Sequence, residues 1–217
     1  MGDRIENTTD ITARRGFFGR IAAASALGLI GFASTGARVH AAAADGPDWP
    51  GALTGRHKQL FDIYDLNGGF PLGFVNNFLN PNESATAVII FRHQGLPYAL
   101  GSGLWAKYKV GETFRIIDPE TKAPAVKNPY YQPKPGVLAN PDVALDRLLA
   151  RGSIIGACGV ALRGQSRRLA ANAGVNPDEA YKEFAANLLP GVTIIPSGTW
   201  GVNRAQEAGC TYCSGGG

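Results

Sequence analysis

One cysteine at the end of a strongly apolar run is the residue of this sequence best placed to do chemistry. Cys158 closes the apolar run at residues 154–157 and is followed directly by Gly159. Such a run predicts a short buried strand, and the residues after it predict a helix. A thiolate is a nucleophile and a sulfur acceptor, and a helix N-terminus favours the thiolate over the thiol. We therefore expect Cys158 to be a catalytic residue.

Residues around Cys158 predict a binding site for an anion or a second sulfur atom. Arg163 and Arg167 lie in the opening turns of the predicted helix, where their guanidinium groups would stabilise an anionic sulfur. Gly159 has no Cβ, so a ligand can approach its backbone closely. The alternative is that Cys158 is a buried structural thiol, because free cysteine often packs as a small apolar residue.

Strands and helices alternate along the chain. The predicted strands are 57–64, 85–91, 154–157 and 192–196. The predicted helices are 70–79, 97–108, 141–151, 176–189 and 198–208, with a further helix that begins after Gly159. This alternation predicts an α/β protein with three layers, α/β/α, around a mostly parallel sheet. Ligands of such sheets bind at the carboxyl ends of the strands.

Polar residues or glycines directly follow three of these strands and should meet at that edge. They are Arg92 and His93, Cys158 and Gly159, and Ser197 and Gly198. We expect His93 to be a second catalytic residue, because imidazole exchanges protons near neutral pH. Ser197 and Gly198 are expected to bind ligand.

Residues 112–140 interrupt the alternation with five prolines, three lysines and little periodicity. A long segment without regular structure is a functional lid, an insertion or a surface excursion, and composition does not separate these. The last two cysteines, Cys210 and Cys213, have the spacing of a thiol pair. They could form a disulfide, supply half of a metal site, or have no role. No other cofactor is expected.

The N-terminal residues have the layout of a bacterial export signal. A pair of arginines at 14–15 precedes an apolar run at 21–34 and an alanine cluster at 41–44. We interpret residues 1–44 as a cleaved twin-arginine signal peptide, 45–55 as a flexible lead-in and 56–217 as one domain. The apolar run is shorter than the ~20 residues that span a bilayer, so no stable membrane anchor is expected and the mature protein is predicted to be periplasmic.

Charge argues against a nucleic-acid partner. The full chain carries a formal charge of +4, and residues 1–44 hold five arginines against three acidic residues, which leaves +2 for the remainder. Neither this charge nor any run of basic residues matches a nucleic-acid-binding surface.

The sequence also resembles a known family, the DsrE/DsrF-like sulfur-relay proteins, which include YchN-type and TusD-type members. The blocks that carry the likeness are CGVAL at 158–162, NLLPGVTIIPSG at 187–198 and AQEAG at 205–209. The resemblance implies a flavodoxin-like α/β/α domain that forms homo-oligomers and carries a persulfide on Cys158. The export signal, the proline-rich insertion and the pair Cys210 and Cys213 depart from the family pattern.

Two functional hypotheses follow. The first is an exported protein that handles sulfur or thiols, with Cys158 as the persulfide-forming acceptor and a protein or a small sulfur compound as donor and acceptor. The second is a non-catalytic periplasmic protein that binds a small ligand or assembles as an oligomer, in which Cys158 is structural. Its interface or pocket would use aromatic residues such as Trp105, Trp200, Phe74 and Phe78.

Overall fold

Five parallel strands form a single sheet at the centre of the protein. The computed structural model describes Trp49 and residues 53–216. The strands are β1 (His57–Ile63), β2 (Ala85–Phe91), β3 (Ile154–Cys158), β4 (Val192–Ile195) and β5 (Thr211–Ser214). They lie in the order β4-β3-β2-β1-β5, and every pair of neighbours is parallel. The predicted α/β class is confirmed.

Helices connect these strands. They are α1 (Phe70–Leu79), α2 (Gly103–Lys107), α3 (Val110–Phe114), α4 (Leu145–Ala150), α5 (Gly159–Ala173), α6 (Pro177–Ala186) and α7 (Gly198–Glu207), with 3-10 turns at Asn67–Gly69, His93–Ala99 and Pro141–Val143. Local signals in the sequence set several of these bounds. Asn176 caps α6 by accepting a hydrogen bond from the Asp178 backbone N–H at 2.8 Å, and Gly174 ends α5 in a left-handed conformation.

Apolar side chains cover both faces of the sheet because strand residues alternate between them. On one face, Phe61, Ile89 and Ile155 pack against side chains from α1, α2, α4, α5 and α6. On the other face, Leu60, Val88, Ile90 and Ile195 pack against α7 and Trp49. Parallel strands buried on both faces require nearly continuous apolar runs, and six of the seven residues of β2 are buried.

The direction in which successive strands are added across the sheet changes once. Strands β1 to β4 are each laid beside the previous one, and then the chain passes through α7 on the opposite face and adds β5 beside β1. A right-handed crossover in the reverse direction must use the other face of the sheet. This order differs from the 2-1-3-4-5 order of flavodoxin, because the strand at the edge beside β1 is the last strand of the chain rather than the second.

The single helix predicted at 97–108 is wrong. The structure has a 3-10 turn at His93–Ala99, an extended residue at Leu100 and then two short helices, α2 and α3. Leu100 is extended (φ −84°, ψ 132°), which breaks the helix before α2, and Lys109 adopts a left-handed conformation (φ 50°) between α2 and α3. The periodic apolar residues are still buried, but by a sequence of short turns.

Residues 112–140 are mostly without regular structure, as predicted, but they are anchored to the domain. The helix α3 extends into them as far as Phe114. The buried side chain of Asn128 donates hydrogen bonds at 3.0 Å to the backbone oxygens of Tyr98 and Leu100. Ala125 donates a backbone hydrogen bond to Ile116 at 2.8 Å. This segment is therefore a packed wall of the domain.

Of the predicted flexible lead-in, 45–55, the structure describes Trp49 and residues 53–55, and both Trp49 and Gly55 contact the domain. Trp49 is buried against the sheet, and its ring lies 6.4 Å from that of Trp200. The Gly55 backbone N–H donates to the Thr86 hydroxyl at 3.1 Å. The predicted signal peptide, 1–44, lies outside the described residues. Across the part of the chain that is described, no helix has the length and apolarity to span a bilayer.

Candidate functional site

A cleft of about 560 Å³ lies at the carboxyl ends of β2, β3 and β4. Its walls include Arg92, His93, Cys158, Arg168, Ser197 and Gly198. The three groups of residues that follow apolar strands in the sequence are therefore brought together. Parallel strands place their carboxyl ends at one edge, which is why residues distant in the sequence meet here.

Cys158 is both the last residue of β3 and the N-cap of α5. Its Sγ accepts a hydrogen bond from the Ala161 backbone N–H at 3.3 Å, and the residue is 6% exposed. The first N–H groups of a helix have no partner within the helix, and the aligned peptide dipoles give this end a partial positive charge. A negatively charged sulfur at this position is stabilised by both effects.

Arg92 is fixed in the same cleft by a buried carboxylate. Its Nε donates to Asp62 Oδ1 at 2.6 Å and its Nη2 to Asp62 Oδ2 at 2.8 Å, while the Tyr212 hydroxyl also donates to Oδ2 at 3.0 Å. The Asp62 side chain is 3% exposed and that of Arg92 is 30% exposed. The hydrogen bonds that Arg92 donates to Asp62 raise the pKa of Arg92, burial opposes this, and Cys158 adds a smaller increase. Arg92 is thus a permanent cation that interacts electrostatically with Cys158.

Asp62 and Tyr212 were not predicted as site residues. The signal for Asp62 was a single carboxylate between Phe61 and Ile63 in the predicted strand 57–64, which requires a cationic partner if it is buried. That partner, Arg92, follows the next strand in the sequence, and β1 and β2 pair so that Asp62 lies beside Ile90.

His93 lies at the mouth of the cleft. It is exposed and adopts a left-handed backbone conformation, with φ 49°. The turn is held because the backbone N–H groups of Gln94 and Gly95 both donate to the Tyr64 carbonyl, at 3.0 and 3.2 Å. An exposed imidazole at this place is accessible to solvent and to a molecule in the cleft.

Ser197 has a structural task at the N-terminus of α7. Its Oγ accepts from the Trp200 backbone N–H at 3.1 Å and lies 3.2 Å from the Thr199 hydroxyl. A Cβ on Gly198 would collide with the Arg92 side chain, and one on Gly159 would lie 2.9 Å from the Ile195 carbonyl oxygen. Both glycines therefore allow the protein to pack closely around the cleft, and Gly159 was wrongly expected to leave room for a ligand.

The prediction that Arg163 and Arg167 stabilise the sulfur is wrong in its geometry, since neither lines the cleft. The Arg163 guanidinium lies 4.1 Å from the centre of the Tyr181 ring, and Arg167 forms an exposed ion pair with Asp178 at 3.4 Å. Helical periodicity explains this outcome, because residues 161, 164, 165 and 168 share one face of α5 and residues 163 and 167 lie on another. Arg168 is the arginine of α5 that lines the cleft.

Cys210 and Cys213 are not paired. Both are free thiols, Cys210 within the apolar cluster under α7 and Cys213 against the cluster on the other face of the sheet. Burial raises the pKa of each thiol. Among the described residues, no three His, Cys, Asp or Glu side chains lie close enough together to hold a metal ion. The disulfide and metal hypotheses for this pair thus find no support in the geometry.

The fold and this cleft define an α/β protein with a cysteine at the carboxyl edge of a five-stranded parallel sheet. Comparison with protein-family models gives no match, and no curated protein sequence matches. Among solved structures, the chain is similar to MTH1491, a protein of unknown function from Methanobacterium thermoautotrophicum. The two share 16% identity over 73% of this chain and 98% of the other, with a TM-score of 0.42.

Proposed function

We propose that this protein handles sulfur or thiols and that Cys158 accepts sulfur as a persulfide. The observation that carries the proposal is the position of the Cys158 Sγ, which accepts a backbone N–H at the start of α5 and lies in a cleft with Arg92. A helix N-terminus and a fixed cation both favour an anionic sulfur, and a persulfide is anionic at neutral pH. The resemblance to DsrE/DsrF-like proteins at residues 158–162 supports the same reaction.

The reaction is a transfer of one sulfur atom without net oxidation. The Cys158 thiolate attacks the outer sulfur of a donor R–S–SH, a new S–S bond forms on Cys158, and the S–S bond of the donor breaks. The electron pair of that bond leaves with R–S⁻, which His93 can protonate at the mouth of the cleft. Transfer to an acceptor thiolate repeats the reaction in the opposite direction, so that the protein acts as a carrier or transferase.

The location and assembly of the protein belong to the same proposal. The arginine pair and the apolar run in residues 1–44 support export by the twin-arginine route to the periplasm. The family resemblance supports a homo-oligomer. The donor and acceptor would then be periplasmic proteins or small sulfur compounds.

A second candidate function is supported by the low exposure of Cys158. At 6% exposed, this thiol is as buried as Cys210, at 7%, which lies in an apolar cluster. In that case the protein would be a non-catalytic binding or assembly protein, and Cys158 would serve only to cap α5.

These two similarly buried cysteines provide an internal test. In a Cys213→Ser background, Cys158 and Cys210 are the remaining thiols, and their rates of alkylation by iodoacetamide can be followed by peptide mass spectrometry. Sulfur chemistry predicts that Cys158 reacts about ten times faster than Cys210 in the native protein, because a thiolate is the reactive form. If both cysteines were instead alkylated at the same slow rate in the native protein, and both rapidly in denaturant, Cys158 would be a structural thiol.

A further inference from the structure

A second and larger cleft adjoins the one that contains Cys158. It has a volume of about 840 Å³ and is bounded by the turn after β1, by residues 113–117 and Pro119, and by Tyr130 and Leu138. Gln94 and Arg168 line both clefts, so the two cavities share a wall. Clefts of this size hold whole small molecules. A molecule bound in the larger cleft would therefore lie next to the cavity that contains Cys158.

The walls of the larger cleft are cationic. Arg115 and Arg168 are both exposed side chains, and neither forms a salt bridge with a residue that the structure describes. Asp65 is the one acidic residue in the wall, and its Oδ1 accepts a hydrogen bond from the Asn67 backbone N–H at 2.9 Å. Two free guanidinium groups and one engaged carboxylate make this cavity complementary to an anion.

The same walls offer apolar contact beside these charges. The Arg168 guanidinium lies 5.7 Å from the centre of the Phe114 ring, and Ile117 is a large apolar residue that is 51% exposed. A guanidinium stacked on a ring keeps its N–H edge available for a carboxylate, which it binds with two parallel hydrogen bonds. The cavity is therefore suited to an organic molecule with an apolar portion and a carboxylate, and inorganic polysulfide would leave most of it empty.

We infer that the larger cleft binds the organic portion of a carboxylate-bearing small-molecule persulfide, the sulfur donor of Cys158. This inference rests on the proposed function and names the class of donor. The carboxylate pairs with Arg168 and Arg115, and the S–SH group extends past Gln94 into the smaller cleft. Attack by the Cys158 thiolate moves the outer sulfur to Cys158, and the donor leaves as its carboxylate-bearing thiolate.

Two donors that differ only in one charge test this inference. N-acetylcysteine persulfide carries a carboxylate, and the persulfide of N-acetylcysteine amide replaces it with a neutral amide. We expect sulfur transfer to Cys158 to be about tenfold faster from the carboxylate donor at subsaturating concentration, because only that donor makes charge-assisted hydrogen bonds to the guanidinium groups. Arg168→Gln should abolish this preference, Arg115→Gln should reduce it, and Arg204→Gln, at an exposed ion pair on α7, should leave it unchanged.

A binding measurement that needs no sulfur chemistry separates this inference from the proposed function. S-methyl-N-acetylcysteine and its amide cannot transfer sulfur, and their affinities can be measured by calorimetry on the same four proteins. Tighter binding of the carboxylate, lost in Arg168→Gln, would support the cleft assignment even if Cys158 never accepts sulfur. Equal binding of the two ligands, or a preference that survives Arg168→Gln, would overturn it. If polysulfide still loaded Cys158 in that case, the proposed function would stand without this donor class.

Discussion

The buried ion pair between Asp62 and Arg92 permits a quantitative prediction. Replacing Arg92 with Met leaves the Asp62 carboxylate, 3% exposed, with Tyr212 as its one remaining hydrogen-bond donor among the described side chains. Breaking a buried pair in this way costs 3–5 kcal/mol. Because Arg92 itself is 30% exposed and water can enter its place, we expect the lower end, about 3 kcal/mol of unfolding free energy.

The replacement of Asp62 and the double variant complete a double-mutant cycle with Arg92→Met. Asp62→Leu leaves a guanidinium that can reach solvent, so its expected cost is smaller, about 2 kcal/mol. The double variant Asp62→Leu with Arg92→Met contains no buried unpaired charge, and we expect it to be more stable than Arg92→Met alone. Urea unfolding followed by the fluorescence of the three tryptophans measures all four proteins. Arg204→Met, which breaks an exposed pair with Glu207, is the control and should cost less than about 0.5 kcal/mol.

Additivity would refute this reasoning. If the double variant lost the sum of the two single losses, the carboxylate and the guanidinium would not be coupled. The same variants report on the site, because Arg92 lines the cleft of Cys158. Arg92→Met should also slow native alkylation of Cys158, whereas Arg204→Met should not.

Three further predictions concern the glycines of α5 and the other thiols. Gly159→Ala should destabilise the protein by about 1–3 kcal/mol because its Cβ meets the Ile195 carbonyl. Gly164→Ala, which has open space around it, should stabilise the protein by up to about 1 kcal/mol. Urea unfolding that found Gly159→Ala more stable than Gly164→Ala would contradict this packing. Mild oxidation should not join Cys210 to Cys213, since they belong to apolar clusters on opposite faces of the sheet, and a loss of two hydrogens in the intact mass assigned to this pair would contradict that. Burial raises the pKa of Cys210 in the folded protein above its unfolded value of about 9, so the stability that its thiol contributes is complete below pH 9 and is lost as the pH rises through the folded pKa. The free energy of unfolding should therefore fall in alkali, and it should fall less steeply in Cys210→Ala.

Much of the fold follows from the sequence for simple physical reasons. The β-branched run at 85–91 and the run at 154–157 are too apolar to be exposed, and the structure buries both in a parallel sheet. The cap at Asn176 is a local signal, and the structure confirms that α6 starts there. The helix predicted at 97–108 is wrong because apolar spacing reports burial and does not reveal the extended residue Leu100, where the chain leaves the helical conformation.

The candidate site was predictable in outline only. Strand ends meet at one edge of a parallel sheet, so the neighbourhood of His93, Cys158 and Ser197 followed from the pattern of strands. Which arginine faces the cleft depends on the rotation of α5 about its axis. The sequence does not reveal this rotation, so Arg163 was predicted where the structure has Arg168. The strand order was not deducible, and it is this order that places β5, and with it Tyr212, beside Asp62.

The central claim is tested most directly by the intact mass of the protein after anaerobic incubation with polysulfide, compared with Cys158→Ser. We predict a gain of one sulfur, about 32 Da, that dithiothreitol removes and that is absent in Cys158→Ser. Sulfide alone is the matched control and should give no adduct, because without an oxidant it has no sulfane sulfur to transfer. An adduct that persists in Cys158→Ser, or no adduct in the unaltered protein, would contradict the assignment of Cys158 as the sulfur acceptor.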